Sequence, residues 1–136
     1  MTGRVSGKMA FITGAAQGIG EAIAFMLAKE GAQVVLADIN KEGVISVSEK
    51  INDKYPGKAF ALNLDVTSEE EWKDTLKKAE ELMGGLNILV NNAGISAGST
   101  IEETDYETFQ KVMKIDTDSV FLGSKYAVPI MKKYAP

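Results

Sequence analysis

Residues 11–31 read FITGAAQGIGEAIAFMLAKEG, an apolar run that leaves through glycines at 14, 18 and 20 and then becomes amphipathic. Glycine costs backbone entropy, so three within seven residues mark a sharp turn or a place where something approaches the backbone closely. Residues 8–13, KMAFIT, form a short apolar run of the kind that makes a buried strand, ending at Gly14. From Ile19 the apolar residues recur at Ile23, Met26 and Leu27, a helical period, and Gly31 closes that helix. A strand that turns through glycine into a helix N-terminus offers backbone N–H groups to an anion such as a pyrophosphate. Gly14 and Gly18 would let the chain turn and admit it, and Gly20 would let helix and strand pack closely. The spacing is G-x-x-x-G-x-G, and taken alone a plain strand-to-helix turn explains it equally well.

The rest of the chain repeats this alternation. QVVLAD, 33–38, is a second strand; Val44, Val47 and Ile51 place a helix over 41–53; KAFALNLDV, 58–66, is a third strand running into a loop. Ser68 and Glu71 form a capping box for a helix with Trp72, Leu76, Ala79 and Met83 as its buried stripe, stopped by Gly84-Gly85. NILVNNAG, 87–94, is a fourth strand and its turn. Thr104 and Glu107 form a second capping box, opening a long helix over 104–134 through Phe109, Val112, Met113, Val120 and Phe121, with Pro129 bending it or removing a hydrogen bond. Strands separated by helices imply an α/β, Rossmann-like, doubly wound parallel sheet of order 3-2-1-4 with right-handed crossovers. No repeat, low-complexity tract or linker divides residues 1–136, so the chain reads as one domain.

The composition removes several chemistries. Among 136 residues there is no Cys and no His, which excludes disulfides, thiol nucleophiles, His bases and Cys/His zinc sites. Fifteen Lys and Arg against nineteen Asp and Glu leave a net charge of −4, which gives no support for nucleic-acid or anionic-membrane binding. Met1 is followed by polar residues rather than an apolar signal core, and no apolar run approaches the roughly 18 residues of a membrane span. A cytoplasmic location fits these features.

In a sheet of this order the strands' carboxyl ends share one rim. Asp38 ends the second strand 18 residues past Gly20, close to the offset of about 20 for an acid that binds a ribose. Its carboxylate can accept from both ribose hydroxyls and would repel a 2′-phosphate. A helix cap is the plainer reading of the same residue. Asp65-Val66 ends the third strand, where an Asp can meet an adenine amino group and a Val can flank the ring; a turn Asp is the alternative. Asn91-Asn92-Ala93-Gly94 ends the fourth strand and is more specific than a turn requires.

TGAAQGIG (13–20), Asp38, LDV (64–66) and NNAG (91–94), in this order, resemble the short-chain dehydrogenase/reductase family over the whole chain. SVFLGSKYAVPIMKK resembles the helix that follows the family's fourth strand. The resemblance implies an NAD(P)-dependent oxidoreductase moving hydride between nicotinamide and a small-molecule alcohol or ketone, with NAD preferred over NADP because Asp38 is followed by Ile39 and no basic residue stands in the glycine turn. It implies that Gly14, Gln17, Gly18, Ile19 and Gly20 line the pyrophosphate turn and that Asp38 binds the adenosine ribose. Asp65 and Val66 would hold adenine; Asn92, Ala93 and Gly94 would border the nicotinamide-side ribose. It also implies a homo-oligomer through helix 104–134.

The family's catalytic Ser and its Tyr with a Lys four residues later follow a fifth strand, and the chain reaches Tyr134-Ala135-Pro136 about where that strand should begin. No Tyr here has such a Lys, and Ser124, Lys125 and Tyr126 point in different directions on one helix. The chain thus reads as the cofactor-binding half, incomplete at the C-terminus and inactive alone. Its fourth strand would be an open edge, which invites association. Asp116 stands where the family usually carries an Asn that braces the active site, and Ser119 where it carries a Gly. Its place four residues after Val112 predicts a buried, hydrogen-bonded carboxylate. Two other readings stay open from the residues themselves: a non-catalytic dinucleotide-binding or interaction module of the same fold, and a methyltransferase.

Overall fold

The structure is a computed structural model and describes residues 3–136; Met1 and Thr2, on which the reading of the N-terminus partly rests, lie outside the described residues. In chain order it comprises β1 (Met9–Thr13), α1 (Gly18–Lys29), β2 (Gln33–Asp38), α2 (Lys41–Lys54), β3 (Ala59–Asn63), α3 (Glu69–Met83), β4 (Ile88–Val90), α4 (Tyr106–Met113), a π-helical turn (Lys114–Asp118) and α5 (Ser119–Lys133). The four strands form one sheet, order β3-β2-β1-β4, and each neighbouring pair is parallel. This is the Rossmann-like order expected from the sequence. Among the described residues no helix is long and apolar enough to cross a membrane.

Because side chains alternate along a strand, the sheet divides its core in two. Ala10, Ile12, Val34 and Leu36 face α1 and α2, meeting Ala24, Val44, Val47 and Ile51. Phe11, Val35 and Ala37 face α3 and α5, meeting Trp72, Leu76, Ala79 and Ala127. Trp72 anchors the second layer: it is fully buried, its Nε1–H donates to the Val66 carbonyl at 2.8 Å, and its ring centroid lies 5.9 Å from that of Phe11. The α3 stripe read from the sequence is therefore the buried face.

On α1 the buried face differs from the expected one. Gly20, Ala24 and Ala28 are buried, whereas Ile19 is 73% and Met26 49% exposed. Small residues four apart let the helix lie close on the sheet, so the bulkier residues are pushed to its flanks.

The capping boxes also differ. The Ser68 hydroxyl accepts from the Glu71 N–H at 3.2 Å, but Glu71 turns its carboxylate to the Asp65 N–H, also at 3.2 Å, instead of returning to Ser68. The second box does not form. Asp105 is the cap, accepting from the Thr108 N–H at 2.7 Å, while the Thr104 hydroxyl donates back to the Thr100 carbonyl. An ionised carboxylate is the stronger acceptor, and the Thr108 hydrogen bonds hold its carboxyl below the ordinary range.

The long helix is interrupted. The π-helical turn widens the backbone spiral between α4 and α5, so a count of residues carried across it at 3.6 per turn loses its face. Phe109, Met113, Val120 and Phe121 are all substantially exposed, and α5 buries Ser119, Gly123 and Ala127 instead. Two surface clusters tie α5 to α3. The Tyr126 hydroxyl donates to Glu69 at 2.6 Å and holds that carboxyl below its usual range. Lys133 and the Tyr134 hydroxyl donate to Glu80 at 2.9 and 2.8 Å, with the same effect on its carboxyl.

The two sheet edges are treated differently. On β3 the Asn52 side-chain amide donates to the Ala59 carbonyl and accepts from its N–H, both at 2.9 Å, standing where a neighbouring strand would. On β4, Ile88, Leu89 and Val90 are half-buried and apolar, with no charge or proline to deter pairing. Amide exchange should show the contrast. The β4 amides should exchange on the order of tenfold faster than those of Val34–Leu36, and equal protection of the two strands would contradict it.

Candidate functional site

The carboxyl ends of the strands surround a cleft of about 390 Å³. It brings together ten of the residues singled out above: Gly14, Gln17, Gly18 and Ile19 from the glycine turn, Asp38 and Ile39 after β2, Val66 after β3, and Asn92, Ala93 and Gly94 after β4. Gly20 and Asp65 are not in its lining. Gly20 is buried below it, where a Cβ would enter the Gly14 carbonyl and stand 2.6 Å from the Asn92 Nδ2. Asp65 turns away, its Oδ1 accepting from the Thr67 N–H and hydroxyl at 2.9 and 2.7 Å.

Two glycines of the turn after β1 adopt left-handed backbone, Gly14 at φ +63° and Gly18 at φ +60°. A Cβ on Gly14 would lie 2.9 Å from the Ala93 Cα, whereas one on Gly18 would meet nothing within 4 Å. Gly14 is thus required by the packing of β1 against the β4 turn as well as by its backbone, and Gly18 by its left-handed backbone alone. No side chain caps the N-terminus of α1, so its first N–H groups are available to an anion in the cleft.

Thr13 joins the two halves of the rim. It is 1% exposed; its hydroxyl accepts from the N–H groups of Asn92 and Ala93 at 2.9 and 3.0 Å and donates to the Val90 carbonyl at 3.4 Å. The Asn92 side chain reciprocates, its Nδ2 donating to the carbonyls of Thr13 and Gly14 at 3.1 and 3.2 Å. Asp38 ties the outer end of the cleft: Oδ2 accepts from the Ala16 N–H at 3.1 Å and Oδ1 from the Asn40 N–H at 2.9 Å. It is the one charged side chain in the lining, which holds no Lys or Arg. Among the described residues no three His, Cys, Asp or Glu side chains gather as a metal site would require.

Asp116 is exposed rather than buried; within the π-helical turn it is Ile115 that packs against the core. Asp116 is nonetheless hydrogen-bonded, its Oδ1 accepting from the Ile95 N–H at 2.8 Å beside Gly94. Thr13, behind the lining, and three residues of the cleft, Leu64, Ile95 and Ile115, were given no role of their own from the sequence, although Thr13 and Leu64 stand within the quoted motifs. A threonine inside a strand run carries no signal of its own. Ile115 lines the cleft from the π-helical turn.

The family model described as short chain dehydrogenase matches residues 8–135. Trans-4-hydroxycyclohexanecarboxylate dehydrogenase of Sinomonas cyclohexanicum is 42% identical over 134 residues, covering 95% of this chain and 52% of that protein. The 2,5-dichloro-2,5-cyclohexadiene-1,4-diol dehydrogenase LinX of Sphingobium indicum is 39% identical over 133 residues, covering 98% of this chain and 53% of that protein. A solved short-chain dehydrogenase/reductase of Brucella melitensis, described as a glucose/ribitol dehydrogenase, has a TM-score of 0.88 at 29% identity, covering 96% of this chain and 54% of its own. The chain spans about half the length of the curated relatives it matches.

The Thr13 hydroxyl provides a direct test of how the rim is held. Thr13→Val takes the acceptor of the Ala93 N–H and leaves the Asn92 N–H only the Val90 carbonyl, and should cost about 2 kcal/mol. Thr13→Ser keeps the oxygen and loses one methyl, costing about 1 kcal/mol. Urea midpoints of the two variants check the order, and a valine variant no less stable than the serine variant would contradict it.

Proposed function

The chain belongs to the short-chain dehydrogenase family, and from that membership we propose that its rim cleft binds a nicotinamide dinucleotide, NAD(H) in preference to NADP(H). The observation that carries the reading is the lining itself. An uncapped helix N-terminus lies behind a left-handed glycine turn, and one carboxylate, Asp38, stands at the outer end with no basic residue beside it. These residues fit the group: an anion-accepting turn for the pyrophosphate and an acceptor for ribose hydroxyls.

In this reading Gly14, Gln17, Gly18 and Ile19 surround the pyrophosphate, and Gly20 acts by letting α1 approach β1. Asp38 accepts from the adenosine ribose with the lone pairs its two backbone bonds leave free. Ile39 and Val66 flank the adenine, and Asp65 acts by shaping the turn that presents Val66. Asn92, Ala93 and Gly94 border the nicotinamide-side ribose, where Asp116 steadies the loop through Ile95. The bound cofactor supplies the hydride acceptor or donor.

The reaction proposed for the whole protein is interconversion of an alcohol and a ketone. Two relatives named for hydroxylated six-membered-ring substrates support that class. This chain, residues 1–136, contributes the cofactor-binding part. None of its four tyrosines is followed four residues on by a lysine, so the family's proton-transfer pair is not within it. The exposed side chains of Phe109, Met113 and Phe121 support self-association through the α4–α5 region.

Titration with both cofactors tests the reading. NADH should bind at least about thirtyfold more tightly than NADPH, the ratio for roughly 2 kcal/mol of charge repulsion. Asp38→Ala should narrow that ratio. Mixed with NADH and ketones, the 136-residue chain should show no saturable turnover, since positioned acid–base groups are typically worth about 10²–10⁴-fold. Equal or tighter NADPH binding, a ratio unchanged in the Asp38→Ala protein, or robust turnover would each overturn the corresponding part.

A further inference from the structure

We propose that Asn63 is a positioning residue for the adenosine end of the cleft, acting through the backbone of Asp38 and Ile39. The inference rests on the dinucleotide reading and adds to it a residue that lies outside the cleft lining. Asn63 is the last residue of β3 and sits opposite Asp38 in the register of the parallel pair. Its Nδ2 donates to two successive carbonyls, Asp38 at 3.1 Å and Ile39 at 3.0 Å. The Leu64 N–H also donates to the Asp38 carbonyl, at 3.0 Å. Both protons of one side-chain amide are thus spent on the two residues where the chain leaves β2.

Those two residues carry the outer end of the site. Ile39 is 71% exposed and its side chain lines the cleft. The Asp38 carboxylate depends on backbone that follows directly. Its Oδ1 accepts from the N–H of Asn40, one residue beyond the clamped Ile39 carbonyl, and its Oδ2 reaches the Ala16 N–H in the glycine turn. Asn40 in turn accepts from the Gly43 N–H to start α2, and a Cβ on Gly43 would stand 2.9 Å from that of Ala16. A continuous set of bonds therefore runs from the end of β3, through the turn after β2, to the glycine turn.

The side chain's chemistry is specific. An amide nitrogen can donate twice from one atom. Aspartate at the same place would set acceptor oxygens against two carbonyl oxygens, and alanine would leave the Asp38 carbonyl only the Leu64 N–H and the Ile39 carbonyl only the Lys41 N–H. Asn63 itself faces the groove between α2 and α3 rather than the cleft, so replacing it removes no ligand contact.

The test uses Asn63→Ala and Asn63→Asp, with two readouts. In the free protein, exchange of the Ala16 and Asn40 amides should quicken by about fivefold in the alanine variant, the size of a lost ordinary hydrogen bond, and by more in the aspartate variant, while Leu76 in α3 is unchanged. In titrations with AMP and NADH, Asn63→Asp should weaken both by about five- to tenfold. The same substitution placed on Asp38→Ala should weaken them by less than twofold, because the group it positions is gone. Unchanged Ala16 and Asn40 exchange would overturn the proposal, as would an equal loss of affinity in the two backgrounds. Failure of the unsubstituted protein to bind AMP or NADH would instead overturn the dinucleotide reading, and the exchange rates would then decide the role of Asn63 as a brace.

Discussion

A side chain at residue 20 would enter the Gly14 carbonyl and crowd the Asn92 amide, so the first turn of α1, the end of β1 and the turn after β4 can meet only because glycine stands there. The Thr13 hydroxyl and the Asn92 side chain fasten that meeting from both sides. Everything the rim offers follows from this close approach. The N-terminus of α1 is held pointing into the cleft, and Ala93 and Gly94 are fixed opposite the glycine turn. The rim is cross-bonded where β1 and the turn after β4 meet and is tied at its outer end by a single carboxylate.

The two layers of the core serve this arrangement differently. Beneath α1 the contact is made of small residues, Gly20, Ala24 and Ala28, which bring the helix dipole near the strand ends. On the opposite face Trp72 fills the space between α3 and the sheet and bonds the Val66 carbonyl, so the turn after β3 is set from below. A Cβ on Gly123 of α5 would stand 2.7 Å from both Trp72 and the Asn91 Oδ1, so a second glycine permits close packing there. The hydrogen-bond clusters at Glu69 and Glu80 then hold α5 along α3.

Much of this is written locally in the chain. The strand order follows from the alternation of short apolar runs and helical periods, and the rim residues could be named because each ends a strand in a parallel sheet. Asp38 was legible from its distance to the glycines, and the α3 stripe from its period. What the sequence leaves out is non-local. Thr13 looks like any strand threonine until β4 is placed beside it, and Asn63 like any polar strand end until it faces the carbonyls after β2. The α1 face misleads because alanine and glycine, not the larger apolar residues, suit a close helix–sheet contact. The stripe drawn through Phe109, Val112 and Asp116 fails because α4 itself buries no residue, and Asp116 stands in the π-helical turn that follows it. The cap at Asp105 displaces Thr104 because a carboxylate one residue later accepts more strongly.

The central claim is that backbone N–H groups at the start of α1, together with Asp38, make the cleft a dinucleotide site. Backbone amide chemical shifts followed while NADH is titrated to saturation test it most directly. The account predicts that Gly18, Ile19, Gly20, Ile39 and Ala93 move together along one binding curve, while the groove between α2 and α3 around Asp74 and Lys78 stays still. Shifts confined to that groove, or none in the glycine turn at saturating NADH, would contradict it.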